Sequence, residues 1–249
     1  MKLERALVLA GARPGPDPLA DYAGVSTKPL IEIGGAPMLT RVVDALSAAG
    51  IWRIAVSTAD DAVAALAREL GCEVLAAQDG PSLSALRGLE TLGAPALVTT
   101  SDHALLRPEW VTRFVADAPA DADISVLLAQ RSAVELAAPG SRRTYLKFAD
   151  GEWSGCNLFL ARTDRALGGI RLWRSLEADR KRPWRIVGRL GPSVLARYLM
   201  GRLTLAEALA RLSALSGARA AAVTSPYGLA AVDVDKPADL DLVRRLVEG

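Results

Sequence analysis

The chain has 249 residues, enough for one large α/β domain or two small ones, and at 51% apolar it can fill a sizeable core. With 30 Lys and Arg against 28 Asp and Glu, the net charge of +2 excludes a global attraction to nucleic acid. Two cysteines, Cys72 and Cys156, give no basis for a disulfide framework or a zinc site. The opening Met1–Val8 lacks the pattern of a signal peptide and no apolar run spans a bilayer, so a cytoplasmic protein is the expectation.

In chain order, Ala6–Ala10 is a short apolar run stopped by Gly11, the pattern of a strand buried on both faces. Met38–Ala49 has helical periodicity through Leu39, Val42, Val43 and Leu46, and Gly50 stops it. Ile51–Ser57 reads as a strand, Ala62–Leu70 as a helix, Glu73–Ala76 as a strand and Ser82–Leu92 as a helix. Ala96–Thr100 is again a buried strand, Glu109–Ala116 a helix behind Pro108, and Asp123–Gln130 a strand. Further on, Thr144–Phe148 and Asn157–Ala161 predict paired strands, and Thr163–Leu176 a helix. Pro192–Ser216 is helical with a break near Gly201, Ala220–Thr224 and Leu229–Val234 are short strands, and Pro237–Val247 is a closing helix. The βαβα order implies an α/β fold with a mainly parallel sheet, covered on both faces, that binds ligands at the carboxyl ends of its strands.

The loop Gly11–Ser26 is the only stretch rich in Gly and Pro, and its place after the first strand marks it as functional. Small residues there let backbone N–H groups approach phosphate oxygens. Arg13 and Lys28 add positive charge of the kind that phosphoryl transfer requires. The run Leu9-Ala10-Gly11, then Lys28-Pro29-Leu30, then Gly35, Pro37, Met38 and Leu39 resembles the opening signature of the nucleotidyltransferase family with the glycosyltransferase-A-like fold. Its members include sugar-phosphate, molybdenum-cofactor and phosphocholine nucleotidyltransferases. The resemblance implies a Rossmann-like, mainly parallel mixed sheet, with a nucleotide cradle on Leu9, Ala10, Gly11, Ala12 and Gly15 and with Lys28 and Arg13 on the reacting phosphates. Ala12 stands where the family has glycine, and Pro14, Pro16 and Pro18 remove N–H donors from the same loop.

Mg²⁺ prefers hard oxygen ligands, usually one or two carboxylates plus substrate phosphates. Asp102 follows a buried strand over the binding crevice and matches the family's metal aspartate, although aspartates there also cap loops. Asp233 and Asp235 stand two apart on a strand-like run, so they face the same way. Asp233-Val234-Asp235-Lys236-Pro237 resembles the family's closing motif, which completes the metal site; the plainer reading makes Asp235 a cap for the helix at Pro237 and Asp239 a helix-face residue. The sole histidine, His103, suits either a substrate-phosphate contact or a loop position, and no nucleophile-elbow pattern accompanies it.

The run Gly80–Leu89 resembles the family segment in which a serine contacts the nucleotide, which points to Ser84, with Ser82 either sharing that role or capping the helix. Asn157, next to Gly155-Cys156, resembles a family strand entry near the acceptor, and Arg142, Arg143 and Lys147 form a cationic cluster suited to a phosphorylated acceptor. From Arg171 to Arg202 the chain carries Arg174, Arg180, Lys181, Arg182, Arg185, Arg189 and Arg197, with Trp173 and Trp184 interleaved. Such a segment suits peripheral contact with an anionic membrane or, more simply, a helical subdomain packed on the core.

The chain is therefore expected to be a single domain, 1–249, with a basic helical insertion at 163–217. The resemblance implies a Mg²⁺-dependent enzyme that transfers a nucleoside monophosphate from an NTP, CTP ahead of GTP, to a phosphorylated small alcohol or sugar and releases pyrophosphate. The rivals are a nucleotide-sugar glycosyltransferase of the same fold, which Lys28-Pro29-Leu30 disfavours, and a non-catalytic nucleotide-binding module.

Overall fold

Short apolar strands alternating with amphipathic helices build an eight-stranded sheet with a helical layer on each face. A computed structural model describes residues 2–11, 15, 17–177 and 191–249. The first half runs β1 (Arg5–Leu9), α1 (Pro18–Ala23), a small hairpin of β2 (Glu32–Ile33) and β3 (Ala36–Pro37), α2 (Met38–Ala48), β4 (Arg53–Thr58), α3 (Asp61–Glu69), β5 (Glu73–Ala76), α4 (Pro81–Leu92), β6 (Ala96–Thr100) and α5 (Pro108–Asp117). The second runs β7 (Ile124–Gln130), α6 (Arg131–Ala137), β8 (Leu146–Phe148), β9 (Gly151–Ala161), α7 (Ala166–Leu176), α8 (Pro192–Leu199), α9 (Leu205–Ser216), β10 (Ala220–Ser225) and α10 (Pro237–Glu248).

The sheet order is β5–β4–β1–β6–β9–β7–β10, with β8 attached to β9. Pairing is parallel from β5 through β6 and between β7 and β10, whereas β9 runs antiparallel to β6 and to β7. All the other strands of this order therefore point the same way, and the loops after β1, β5 and β6 open at one edge. Alternation along β1 feeds both layers: Ala6 and Val8 pack with α2, α5 and α10, while Leu7 and Leu9 pack with α4 and α7. Phe114, Leu39, Leu46 and Leu158 are among the largest side chains fully buried between the layers.

Two strand expectations are corrected. Thr144–Phe148 does not pair with Asn157–Ala161. A tight turn at Ala149–Asp150 folds β8 onto Gly151–Trp153, and Phe159–Ala161 lies inside the sheet between β6 and β7. Leu229–Val234 is not a strand: Gly228–Ala231 is a 3-10 turn, and the Val234 N–H donates to the Asp102 carbonyl at 3.1 Å, away from any strand. Val232 and Val234 are nevertheless fully buried, so the alternation that aims Asp233 and Asp235 outward survives without a ladder.

Within the expected insertion, α7 packs its apolar face on the core through Ala166 and Ile170, and Trp173 stacks on Phe159 with ring centroids 6.0 Å apart. Arg171 pairs with Glu90 at 3.6 Å and Arg197 with Glu207 at 2.7 Å. These contacts favour the core-packed reading for the described part. Arg180, Lys181, Arg182, Trp184, Arg185 and Arg189 lie outside the described residues. Among the described residues no helix is long and apolar enough to cross a membrane.

Candidate active site

The carboxyl edge of the parallel strands brings together three sequence-distant pieces. β6 ends at Thr100, and its hydroxyl donates to Asp102 Oδ1 at 2.5 Å, fixing the carboxylate just past the strand. Lys28 opens the 3-10 turn Lys28–Leu30, anchored by buried Pro29, and its Nζ donates to Asp102 Oδ2 and to Asp235 Oδ1, each at 2.7 Å. Asp233 and Asp235 arrive on the extended segment before α10, tied to the β6 exit by the Val234–Asp102 backbone bond. One carboxylate oxygen from each of Asp102, Asp233 and Asp235 lies within 4.8 Å of the others.

Burial pushes the Asp233 carboxyl up to about 6, and its neighbours Asp102 and Asp235 push it the same way, while Arg143 and the Asn157 amide oppose them. Burial alone would lower the Lys28 ammonium, but Asp102 and Asp235 outweigh it and hold the group above its ordinary value. The cluster thus holds more negative charge than its own cations offset.

Several expected residues sit differently from their forecast. Arg143 and Asn157 both turn inward: Arg143 donates to the Asp233 carboxylate, to the Asp233 carbonyl at 2.8 Å and to Asp239 Oδ1 at 2.7 Å, and Asn157 Nδ2 donates to Asp233 Oδ2 at 2.8 Å. Arg142 and Lys147 are exposed, Lys147 lying 3.6 Å from Glu152. Asp235 does not cap α10. Asp239 does, accepting from the Asp235 N–H at 3.2 Å and the Lys236 N–H at 3.1 Å, so Asp239 is part of the site's support and not a bystander on the helix face. His103 is buried beside Trp110, with ring centroids 6.1 Å apart, and burial drives its imidazole down to about 4 against the pull of Asp102. It belongs to the core and not to the open edge.

On the nucleotide side, Leu9 and Ala10 are buried, Gly11 is exposed, and Gly15 adopts φ 103°, a left-handed conformation that suits glycine. Ala12 and Arg13 lie outside the described residues. Ser84 accepts from the Gln78 N–H at 2.9 Å and so staples the loop after β5 to α4. Ser82 is fully buried and donates to Glu177, which sequence reasoning missed because nothing local marks a residue just past α7 as a neighbour of the start of α4.

An open, mostly parallel sheet that carries a lysine and an acidic trio on its carboxyl edge is the architecture of a Rossmann-like nucleotidyltransferase. The fold matches a hypothetical transferase from Thermus thermophilus, with a TM-score of 0.81 and 32% identity over 96% of this chain and 100% of that one. It also matches a CMP:2-keto-3-deoxy-manno-octonic acid synthetase complexed with CTP, with a TM-score of 0.56 and 20% identity over 98% and 99% of the two chains, a likeness of fold alone. A 3-deoxy-manno-octulosonate cytidylyltransferase from Rhodopseudomonas palustris (strain HaA2) is 36% identical over 140 residues, 52% of this chain and 54% of that protein, so the match spans about half the length of that curated relative. The model of the MobA-like NTP transferase domain matches residues 6–222, and the chain belongs to that family.

Proposed function

We propose that the protein is a Mg²⁺-dependent cytidylyltransferase that transfers CMP from CTP to a phosphorylated small alcohol or sugar. The observation that carries this reading is the convergence of Lys28, Asp102, Asp233 and Asp235 at the carboxyl edge of the sheet. Three hard carboxylate oxygens in close company suit Mg²⁺, and the Lys28 ammonium bridging two of them supports this reading. Asp102, Asp233 and Asp235 would hold Mg²⁺, which would supply charge neutralisation to the triphosphate.

The chain's own residues do the rest. The Gly11–Gly15 loop and the start of α4 hold the nucleotide, and Lys28 exchanges its carboxylates for phosphate oxygens on which charge develops. The acceptor oxygen bonds to the α-phosphorus as the bond to the β-phosphate oxygen breaks, and pyrophosphate leaves. An ionised acceptor phosphate needs no general base, consistent with a buried, neutral His103. Arg142 and Lys147 offer exposed charge for that acceptor. CTP as donor is supported by the cytidylyltransferase relative.

The test is pyrophosphate release from each NTP in turn, with a panel of phosphorylated acceptors, with and without EDTA. The expected result is release that depends on CTP, acceptor and Mg²⁺ together, and that Asp102→Ala lowers at least a hundredfold. Undiminished turnover in Asp102→Ala would overturn the metal assignment, and transfer of sugar from a nucleotide sugar would replace the reaction.

A further inference from the structure

We infer that Arg143 and Asn157 are positioning residues that set the Asp233 carboxylate for cation binding, and are not contacts to the acceptor. This rests on the metal reading above. The Arg143 side chain is only 6% exposed, and its guanidinium spans two acids at once: one terminal nitrogen on the Asp233 carboxylate, the other on the Asp233 carbonyl and on Asp239. Asp239 in turn holds the Asp235 and Lys236 N–H groups, so one fork locks the side chain of Asp233 and the backbone that carries Asp235. A planar guanidinium holds its donors on separate nitrogens in a fixed fork, so it can grip a carboxylate, a carbonyl and a second acid in set directions, whereas a lysine ammonium gathers all its donors on one nitrogen at the end of a flexible stem. The second oxygen of Asp233 is held from the other side by Asn157, which sits at φ 49°, the only non-glycine residue with positive φ among those described. That conformation is uncommon outside glycine, and here it aims the amide at Asp233. Each carboxylate oxygen keeps a lone pair beyond these bonds, so the clamp leaves Asp233 able to bind a cation. Without the clamp, Asp233 would be repelled by Asp102 and Asp235.

Two variants of the full chain test this, with Mn²⁺ bound in the presence of CTP and read by electron paramagnetic resonance, alongside thermal melting. Arg143→Lys keeps the charge and loses the fork; the expected result is Mn²⁺ affinity lower by roughly 10–100-fold, the range for partners that orient metal ligands. Asn157→Gly relieves the backbone conformation while removing the amide, so the melting midpoint holds or rises as Mn²⁺ affinity falls by about tenfold. A purely structural role predicts that affinity and midpoint move together. Mn²⁺ affinity within twofold of the wild type in either variant overturns the role of that residue. Wild-type protein that binds no Mn²⁺ overturns the metal reading and this inference together; binding that Asp102→Ala abolishes but both variants keep overturns this inference alone.

Discussion

At the scale of single residues, the site is a problem in charge balance. The Lys28 ammonium bonds Asp102 and Asp235 at once, and those two carboxylates keep it protonated. Lys28→Met should therefore fold and still lose about 10²–10³ in kcat, the usual effect of deleting a preorganised charge, as measured by steady-state pyrophosphate release. Elsewhere the same physics silences chemistry. Burial lifts the Cys72 thiol to about 11, so at pH 8 only about 0.1% is thiolate, the reactive form. Because the raised value favours the protonated form, alkylation by iodoacetamide should climb about tenfold per pH unit up to pH 10, where a free thiol levels off above its ordinary pKa. Mass spectrometry of the native protein checks this, and a plateau near pH 9 would contradict it.

At the scale of elements, the turn Gly228–Ala231 controls where the acidic pair lands. A Cβ on Gly228 would lie 2.0 Å from the Ala133 carbonyl oxygen, so α6 and this turn touch backbone to backbone. Gly228→Ala must push them apart. The expected cost is about 1–3 kcal/mol in thermal or urea unfolding, with a drop in Mg²⁺ affinity because Asp233 shifts as well. This contact also shows where sequence reading stops. Periodicity exposed β1, α2, β4, α3, β5, α4, β6 and α5 because Gly or Pro stands close to an end of each and most are buried on a regular face. It missed α6, which follows β7 with no breaker between Gln130 and Arg131, and it undercounted β9, where Gly151 and Gly155 read as loop. It also missed α1, although Asp17 before Pro18 is a helix-start signal, and Asp17 does accept from the Leu19 N–H at 3.0 Å. Asp102, Asp233 and Asp235 were legible because strand ends and alternate positions carry geometry, and Lys28 because Lys28-Pro29-Leu30 resembles the family's opening signature. The inward turn of Arg143 and Asn157 was not legible, since only tertiary packing decides where a loop arginine points.

At the scale of the molecule, α10 straps the chain's beginning to its end. Leu240 and Val243 are fully buried; Tyr22 donates to Asp241 at 3.1 Å, the Gly34 N–H donates to Glu248 at 2.8 Å, and Arg244 donates to the Glu32 carbonyl at 3.1 Å. Deleting residues 237–249 removes this strap together with Asp239. Losing those two core side chains alone removes about 3–6 kcal/mol, a large part of a domain's net stability. The truncated protein should melt at least 10 °C lower and lose Mn²⁺ binding; an unchanged melting curve would show that the strap is dispensable.

The bonds of Lys28 have a further consequence for how such a chain can vary. The partner carboxylates lie 74 and 207 residues away along the sequence. Loop-closure entropy grows only with the logarithm of length, so the longer closure costs about 1 kcal/mol more than the shorter one. Doubling the stretch between the two acidic motifs would add only about 0.6 kcal/mol. The exposed connections within that stretch are therefore free to lengthen or shorten at little expense to the cradle, provided the sheet strands, Arg143, Asn157 and the Val234–Asp102 bond stay in place.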